Sequence, residues 1–285
     1  MTARGFHSGE VEVQNRAGAR EIADSRVGML DPADLHPGAI RFLAERSLAV
    51  LSGRDAGGRL WTGPLEGSPG VLEADADWLR VHTAPRPGDP LHGLPVGQSV
   101  GLITIEFATR RRFRLNGTLI AAGPDLLEIA LEQAYGNCPK YIHPRTLVRV
   151  DGGPGGLEGA SASALSPEDA AQIRAADTFF LGTTHPDRGN DASHRGGPPG
   201  FVGVRDNELW WPDFVGNDMF NSLGNLTVDD TAALLFADFA TGRTLHLSGR
   251  AAIEWDAPTD TGRAVRFAVE AVRRGPALRS REVTG

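Results

Sequence analysis

Short motifs return along this chain in the same order and at a nearly constant distance. Phe107-Ala108-Thr109-Arg110 comes back as Phe239-Ala240-Thr241-Gly242, and Phe113-Arg114-Leu115-Asn116-Gly117 parallels Leu245-His246-Leu247-Ser248-Gly249, both 132 residues further on. Glu66-Gly67-Ser68-Pro69-Gly70 matches Gly196-Gly197-Pro198-Pro199-Gly200 at 130, and Leu91-His92-Gly93-Leu94 matches Phe220-Asn221-Ser222-Leu223 at 129. An offset that drifts by so little while the order is kept points to one β unit present twice. Shared turn chemistry in two unrelated β domains is the alternative.

The segments around these motifs read as strands. Residues 47–52, 78–82, 100–107, 111–121 and 126–132 form one series, and 178–184, 201–204, 208–211, 232–239 and 243–255 form a second. Both are rich in β-branched and aliphatic residues and are bounded by Gly, Pro or Asp. Each copy is expected to hold five or six strands in a meander with a short helical turn after the third, enough to close a small barrel without free edges. Helical signals are fewer. Pro37 precedes Ile40, Leu43 and Ala44, Ser166-Pro167-Glu168 opens a second helix, and Val265, Ala268, Val269 and Val272 predict a late helix by their three-and-four spacing. The expected class is therefore mainly β with accessory helices, an α+β protein with two β-barrels. The expected organisation is a leader over 1–36, a first barrel over 37–150, a Gly/Pro/Ser linker over 151–167, and a second barrel with a C-terminal helix over 168–285. The linker is not a dinucleotide loop, because Glu158 follows Gly153 and Gly155 where the third glycine would stand.

Composition narrows the function classes. The chain has 285 residues and a formal net charge of −7, which argues against a nucleic-acid footprint. It has no apolar run of the ~18 residues a membrane span requires, and no secretory signal pattern at its start, so a cytoplasmic protein with small-molecule partners is expected. One cysteine, Cys138, excludes an internal disulfide and a zinc-finger spacing. Scattered histidines suggest no metal site.

Two regions carry candidate chemistry. Lys140 is the only lysine among 29 basic residues, and it lies with Cys138, Tyr135 and Tyr141 in Ala134-Tyr135-Gly136-Asn137-Cys138-Pro139-Lys140-Tyr141-Ile142. In the second copy, Ser193-His194-Arg195 runs into Gly196-Gly197, where missing Cβ atoms and a guanidinium allow close approach of a planar or anionic ligand. Gly216-Asn217 could open a helix with Asn217 as its cap and free amides facing a phosphate. An ordinary bulge and an ordinary capped helix explain the same residues.

The succession of residues 178–201, 209–217, 221–226 and 233–251 resembles the pyridoxamine 5′-phosphate oxidase-like FMN-binding split barrels, Asn137-Cys138-Pro139-Lys140-Tyr141-Ile142 is similar to a segment of one subset of that family, and Phe6-His7-Ser8-Gly9-Glu10 with Gln14-Asn15-Arg16-Ala17-Gly18 resembles the leader of a subgroup with two fused barrels. The resemblance implies two tandem split β-barrels forming an intrachain pseudo-dimer, with FMN as cofactor and oxidoreductase activity on an unidentified small molecule. By residue, it implies that Ser193, His194, Arg195 and Gly196 run along the flavin. Trp211, Pro212 and Asp213 would form the adjoining strand, and Asn217, Asn221 and Ser222 the phosphate turn. Asp218 and Met219 stand where many members carry Arg or Lys, so another cation has to supply the charge. A fused pair could supply it from the first copy through Asn137, Lys140 and Tyr141. In the first copy Pro64-Leu65-Glu66-Gly67 replaces the Ser-His-Arg-Gly series, so one flavin per chain is expected. A haem or deazaflavin module, with His194 or His185 as axial ligand for haem, and a ligand-free interaction protein are the alternatives. Further homodimerisation stays open.

Overall fold

A computed structural model describes residues 5–31, 33–150 and 161–283. Seven strands, β1 (Leu48–Arg54), β2 (Leu60–Glu66), β3 (Leu72–Ala74), β4 (Trp78–Val81), β5 (Ser99–Glu106), β6 (Arg111–Ala122) and β7 (Leu127–Asn137), form an antiparallel sheet in the order β2-β1-β5-β6-β7-β4-β3. After β8 (Leu147–Arg149) and β9 (Ser161–Ala162), a second set follows: β10 (Thr178–His185), β11 (Gly189–Gly196), β12 (Gly203–Arg205), β13 (Glu208–Pro212), β14 (Thr231–Ala237), β15 (Thr244–Trp255) and β16 (Arg263–Arg274). Its order, β11-β10-β14-β15-β16-β13-β12, repeats the first strand for strand, with β9 added beside β16. The last strand, β17 (Ser280–Glu282), pairs with β8. Each half thus has seven strands rather than five or six, and the β2–β3 and β11–β12 connections join opposite edges instead of continuing a meander. Of the expected linker, residues 151–160 lie outside the described residues.

The expected C-terminal helix over Val265–Val272 is a strand, and a bulge explains the misreading. Ser248 pairs with Ala271 and Gly249 with Val269, leaving Glu270 unpaired. Val265, Phe267 and Val269 alternate inward, then the extra residue resets the phase so that Val272 also faces the core. A period of two interrupted by one residue imitates helical spacing. The first half has the same bulge, where Asn116 pairs with Gln133 and Gly117 with Leu131. Glycine is required at both: a Cβ would lie 2.1 Å from the Ala130 carbonyl oxygen at Gly117 and 2.0 Å from that of Ala268 at Gly249.

Among the described residues five α-helices and one short 3-10 helix, Val27–Leu30, accompany the sheets. Pro37 starts α3 (Pro37–Ala44) under a His36 cap, and Ser166 with Asp169 forms a capping box for α4 (Pro167–Ala175). The leader holds α1 (Ser8–Arg16) and α2 (Arg20–Asp24), and α5 (Asn221–Val228) follows β13. Asn217 does not cap α5. Its cap is Phe220, with a left-handed backbone at φ 59°, and the helix begins four residues later than Asn217. Among the described residues no helix is long and apolar enough to cross a membrane.

Three apolar cores result. Leu51, Leu72, Leu102 and Leu115 centre the first barrel, and Phe179, Trp211, Leu234 and Phe267 the second. The third lies between the halves and takes Val50, Ile103, Ile105 and Phe107 from one and Phe180, Leu235 and Phe239 from the other. At about 1.5–3 kcal/mol per fully buried large side chain, this seam holds the halves as one body.

Candidate functional site

Strand alternation divides the residues of β11. Asp191, Ser193 and Arg195 share a face and point toward α5, whereas His194 turns to the seam, edge-on to Phe107 at 6.4 Å and Phe180 at 5.9 Å. The run Ser193–Gly196 therefore does not present one continuous surface. From the first half, β6 offers Arg112, Arg114 and Asn116 to the same seam, because Leu115 on the opposite face fills the first barrel.

The two strands meet in a buried polar cluster. Arg114 Nη1 donates to both carboxylate oxygens of Asp191 at 3.3 and 3.2 Å and lies 3.4 Å from the Tyr135 hydroxyl. Ser222 Oγ, in the first turn of α5, sits 3.1 Å from both Asp191 Oδ2 and Ser193 Oγ. Burial penalises the Arg114 cation, but Asp191 and Tyr135 outweigh it and raise its pKa. Burial pushes the Tyr135 phenol up to about 12.

Beside this cluster is a pocket of about 60 Å³ lined by Arg114, Arg195, Asp213, Phe214, Asn217, Asp218, Asn221 and Ser222. Its carboxylates are already paired. Asp213 accepts from Arg263 Nε at 2.9 Å, and Asp218 lies 3.6 Å from Arg26 Nη1, which also donates to the Asn217 carbonyl. No hydrogen bond or ion pair reaches the Arg195 guanidinium among the described residues, and desolvation holds its pKa below the ordinary range, Asp213 opposing. With their ion-pair partners, the pocket's charged groups comprise four guanidiniums and three carboxylates. Arg112 stands behind as a fifth cation, depressed to about 9 by desolvation and then by Arg114 and Arg195. The Nε atoms of Arg112 and Arg114 and His194 Nε2 are buried without a hydrogen-bond partner among the described residues. Arg112 Nη1 donates to His194 Nδ1 at 3.2 Å, so the unmatched Nε2 of that neutral imidazole carries the hydrogen.

The leader covers the turn. A Cβ on Gly9 would lie 2.2 Å from the Gly224 carbonyl oxygen, so α1 and α5 cross with backbones nearly touching. Glu10 Oε1 accepts from Asn221 Nδ2 at 2.5 Å, and Gln14 Nε2 donates to the Met219 carbonyl at 3.0 Å. Burial raises the Glu10 carboxyl to about 7 and lowers His7 to about 4. His7 Nδ1 accepts from the Gly9 amide, which leaves Nε2 to donate to Asn225 Oδ1 at 3.1 Å.

Of the residues singled out from sequence, Arg195, Asp213, Asn217, Asn221 and Ser222 line the pocket, and Ser193 supports Ser222. Trp211 does not reach it. It is buried in the second core, edge-on to Phe179, and Pro212 pairs with Ala264 in the sheet. Gly196 backs onto Tyr141, whose carbonyl oxygen would be 1.9 Å from an added Cβ. Tyr141 stacks on Phe214 at 4.9 Å and donates to the Val215 carbonyl at 3.2 Å, so this segment does cross to the second half. Lys140 is exposed and absent from the lining, and Asn137 ends β7. The first-half cations at the seam are instead Arg112 and Arg114. Their signal was in the sequence: Arg112, Arg114 and Asn116 alternate with apolar residues in a strand long enough to be central, where a charge needs a partner.

Residues 165–284 match the profile of the pyridoxamine 5′-phosphate oxidase family. The second half is thus similar to that family in sequence. Similar solved structures include a Lactobacillus delbrueckii protein described as a candidate pyridoxamine 5′-phosphate oxidase, at 19% identity over 41% of this chain and 98% of that one, TM-score 0.32. An FAD-binding protein of Mesorhizobium loti matches at 11% identity over 42% and 99%, TM-score 0.30. An FAD-binding protein of Mycobacterium smegmatis matches at 12% over 40% and 99%, TM-score 0.28. No curated protein matches the chain. Within this half the pocket lies where β11 and the first turn of α5 converge.

The seam has a mirrored position built from β2 and β15. There Gly63 and Leu65 take the places of Ser193 and Arg195, and His246 that of Arg114. The space is filled by the chain itself. Asp89 packs against Gly63, whose Cβ would lie 2.8 Å from Oδ1, and Gly275 sits over His246 with its Cβ position 2.4 Å from Nε2. His246 Nδ1 donates to the Thr62 carbonyl at 2.8 Å.

Proposed function

We propose that this protein binds FMN at the Arg114/Arg195 pocket and acts as a flavin-dependent oxidoreductase on a small molecule. The carrying observation is the convergence of Arg112, Arg114 and Arg195 from both halves, the buried Nε atoms of Arg112 and Arg114 lacking partners among the described residues, beside the Asn217–Ser222 turn. The surplus positive charge suits a phosphate monoester, which carries about −1.5 to −2 at neutral pH. Asp218, which would repel it, is offset by Arg26 of the leader. A volume of about 60 Å³ accommodates a phosphate and not a ring system. The residues fit the anionic end of the cofactor, and the Tyr141–Phe214 stack has to part for the rest. A pocket closed by the leader suits a terminal phosphate better than the internal pyrophosphate of FAD.

When bound, the flavin would supply hydride or single-electron transfer, with the protein contributing position and electrostatics. Arg195 and Arg114 would hold the phosphate, and Ser222 and Asn221 would orient it through hydrogen bonds. Asp191 keeps the Arg114 fork aimed, and Arg112 fixes the His194 tautomer so that Nε2 is a donor. Haem is less well served. His194 has Nδ1 engaged by Arg112 and its ring held between two phenylalanines, while His185 accepts from the Asp187 amide and lies against His7 at 4.2 Å.

Titration of the purified full chain with FMN and with FAD, followed by flavin fluorescence quenching, tests the reading. FMN should bind at one per chain and more tightly than FAD. Arg195→Met should weaken it about ten- to a hundredfold, since a hydrogen bond to a charged group contributes about 1.5–3 kcal/mol. A Soret band, or no quenching by either flavin, would overturn it.

A further inference from the structure

A cavity of about 560 Å³ opens on the first half between α3, the β5–β6 turn and the end of β7. Its apolar wall is Phe42 and Phe113, with ring centroids 6.5 Å apart, and Pro139 contributes to the rim. Its charged wall is Arg110, Arg111 and Arg112, and among the described residues no carboxylate lines it. None of the three arginines forms an ion pair among the described residues, although acidic residues outnumber basic ones, 36 to 29, in the chain. Arg111 already stacks its guanidinium over Phe42, 4.7 Å from the ring centroid.

The corresponding place in the second half shows that two of these arginines are not a demand of the fold, while Arg243, in the place of Arg111, lies 3.7 Å from Glu168. There the turn carries Gly242, with φ +80°, where the first half holds Arg110 at φ 55°. A side chain in that left-handed conformation costs roughly 1–2 kcal/mol that glycine avoids. Thr244 stands in place of Arg112. Elsewhere on α4 a cavity of about 200 Å³ opens between that helix, the start of β10 and the end of β14, and Asp177 and Glu282 in its lining are paired with Arg145. The first half thus accepts a strained arginine at the mouth of its cavity and leaves three cations without carboxylates among the described residues. Strain of this kind is a pointer to function when the surroundings maintain it.

We propose that the cavity is a second ligand site, separate from the seam pocket, which takes a planar aromatic molecule bearing a carboxylate, sulfonate or phosphate. Phe42 and Phe113 would cover the ring, and Arg110 and Arg111 would pair with the anion, in the size range typical of small-ligand sites. Arg112 forms the wall shared with the seam, its Nη1 on His194 and its Nε without a partner. An anion in the cavity would relieve part of that buried charge.

The test is a fluorescence titration of the full chain with 1-anilinonaphthalene-8-sulfonate, with uncharged N-phenyl-1-naphthylamine as comparison. One sulfonated dye per chain should bind, at least tenfold more tightly than the neutral one. Arg111→Glu should weaken it about tenfold or more. Gly136→Leu should abolish binding by filling the cavity, because a Cβ there meets nothing closer than Phe113 at 3.9 Å. Arg195→Met should leave dye binding unchanged, and unaltered circular dichroism melts would show that the variants fold. Equal dye affinity in Arg111→Glu and the parent chain would overturn the proposal. So would displacement of the dye by FMN, which would merge the two sites into one.

Discussion

The two mirrored positions of the seam share a strand order and differ in what occupies them. At one, Arg114 crosses to Asp191 and leaves a small cationic pocket beside Arg195. At the other, His246, Gly63 and Leu65 stand in those places, and Asp89 and Gly275 fill the space. Repetition of a fold therefore does not repeat a site. One face of the seam can be given to packing as long as the other keeps its charges, and the closed face helps to fix the geometry of the open one.

The strongest way to break this contrast is to remove the crossing charge. Arg114→Leu leaves Asp191 buried and uncompensated, which should cost about 3–5 kcal/mol of stability. His246→Leu, its counterpart, is expected to cost less and to leave FMN affinity unchanged. Urea denaturation of both variants checks the order, and equal losses would show that the two positions are energetically alike.

The leader gives the second test. Glu10, at about 7 against 4.5, favours docking at low pH, and its contribution is lost as pH rises through 7. His7, at about 4 against 6.5, does the reverse, and its contribution is lost as pH falls through 4. Between pH 4.5 and 6.5 the docked leader and the free leader each hold one proton on this pair, so the two effects cancel and docking is nearly independent of pH. His7→Gln removes one side of the balance. Stability should then fall with rising pH across pH 4.5 to 7, by roughly 3 kcal/mol at a factor of 1.36 kcal/mol per pKa unit. A flat profile in His7→Gln would remove Glu10 from the account.

Smaller effects separate the halves further. Gly117→Ala and Gly249→Ala each drive a methyl into a carbonyl oxygen at the same bulge, and each should cost about 1–3 kcal/mol by overpacking. Comparable drops in thermal midpoint would mark the halves as mechanically equivalent away from the site. Lys140→Ala is expected to change FMN affinity by less than twofold, since that side chain is exposed and outside the pocket.

Much of this architecture was legible in the sequence, and the failures have causes. The repeat offset anticipated two matching sheets, and alternation located most long strands. Short β3 carries too few residues for a pattern to declare itself, β2 is broken in sequence by Gly63 and Pro64, and a single bulged glutamate turned β16 into an apparent helix. At the site, the motif on β11 and the turn before α5 were recognisable because glycines and asparagines mark unusual backbone. Arg112 and Arg114 alternate with apolar residues in a long strand, which marks them as charges in need of partners, but which partners they meet depends on a strand about 80 positions away. Arg26 and Glu10 gave no local signal at all, because their partners lie about 190 to 210 positions away.

The pairing of β17 with β8 bears on how such a chain is made. Strand β8 follows the first barrel but finds its partner only after the entire second barrel has been synthesised, about 130 positions later. Contacts so distant are late and slow to form. Until then the first barrel carries Val50, Ile103 and Ile105 uncovered, a sticky surface on a half-made product. Translation speed and chaperone supply would govern its yield more than the final stability does.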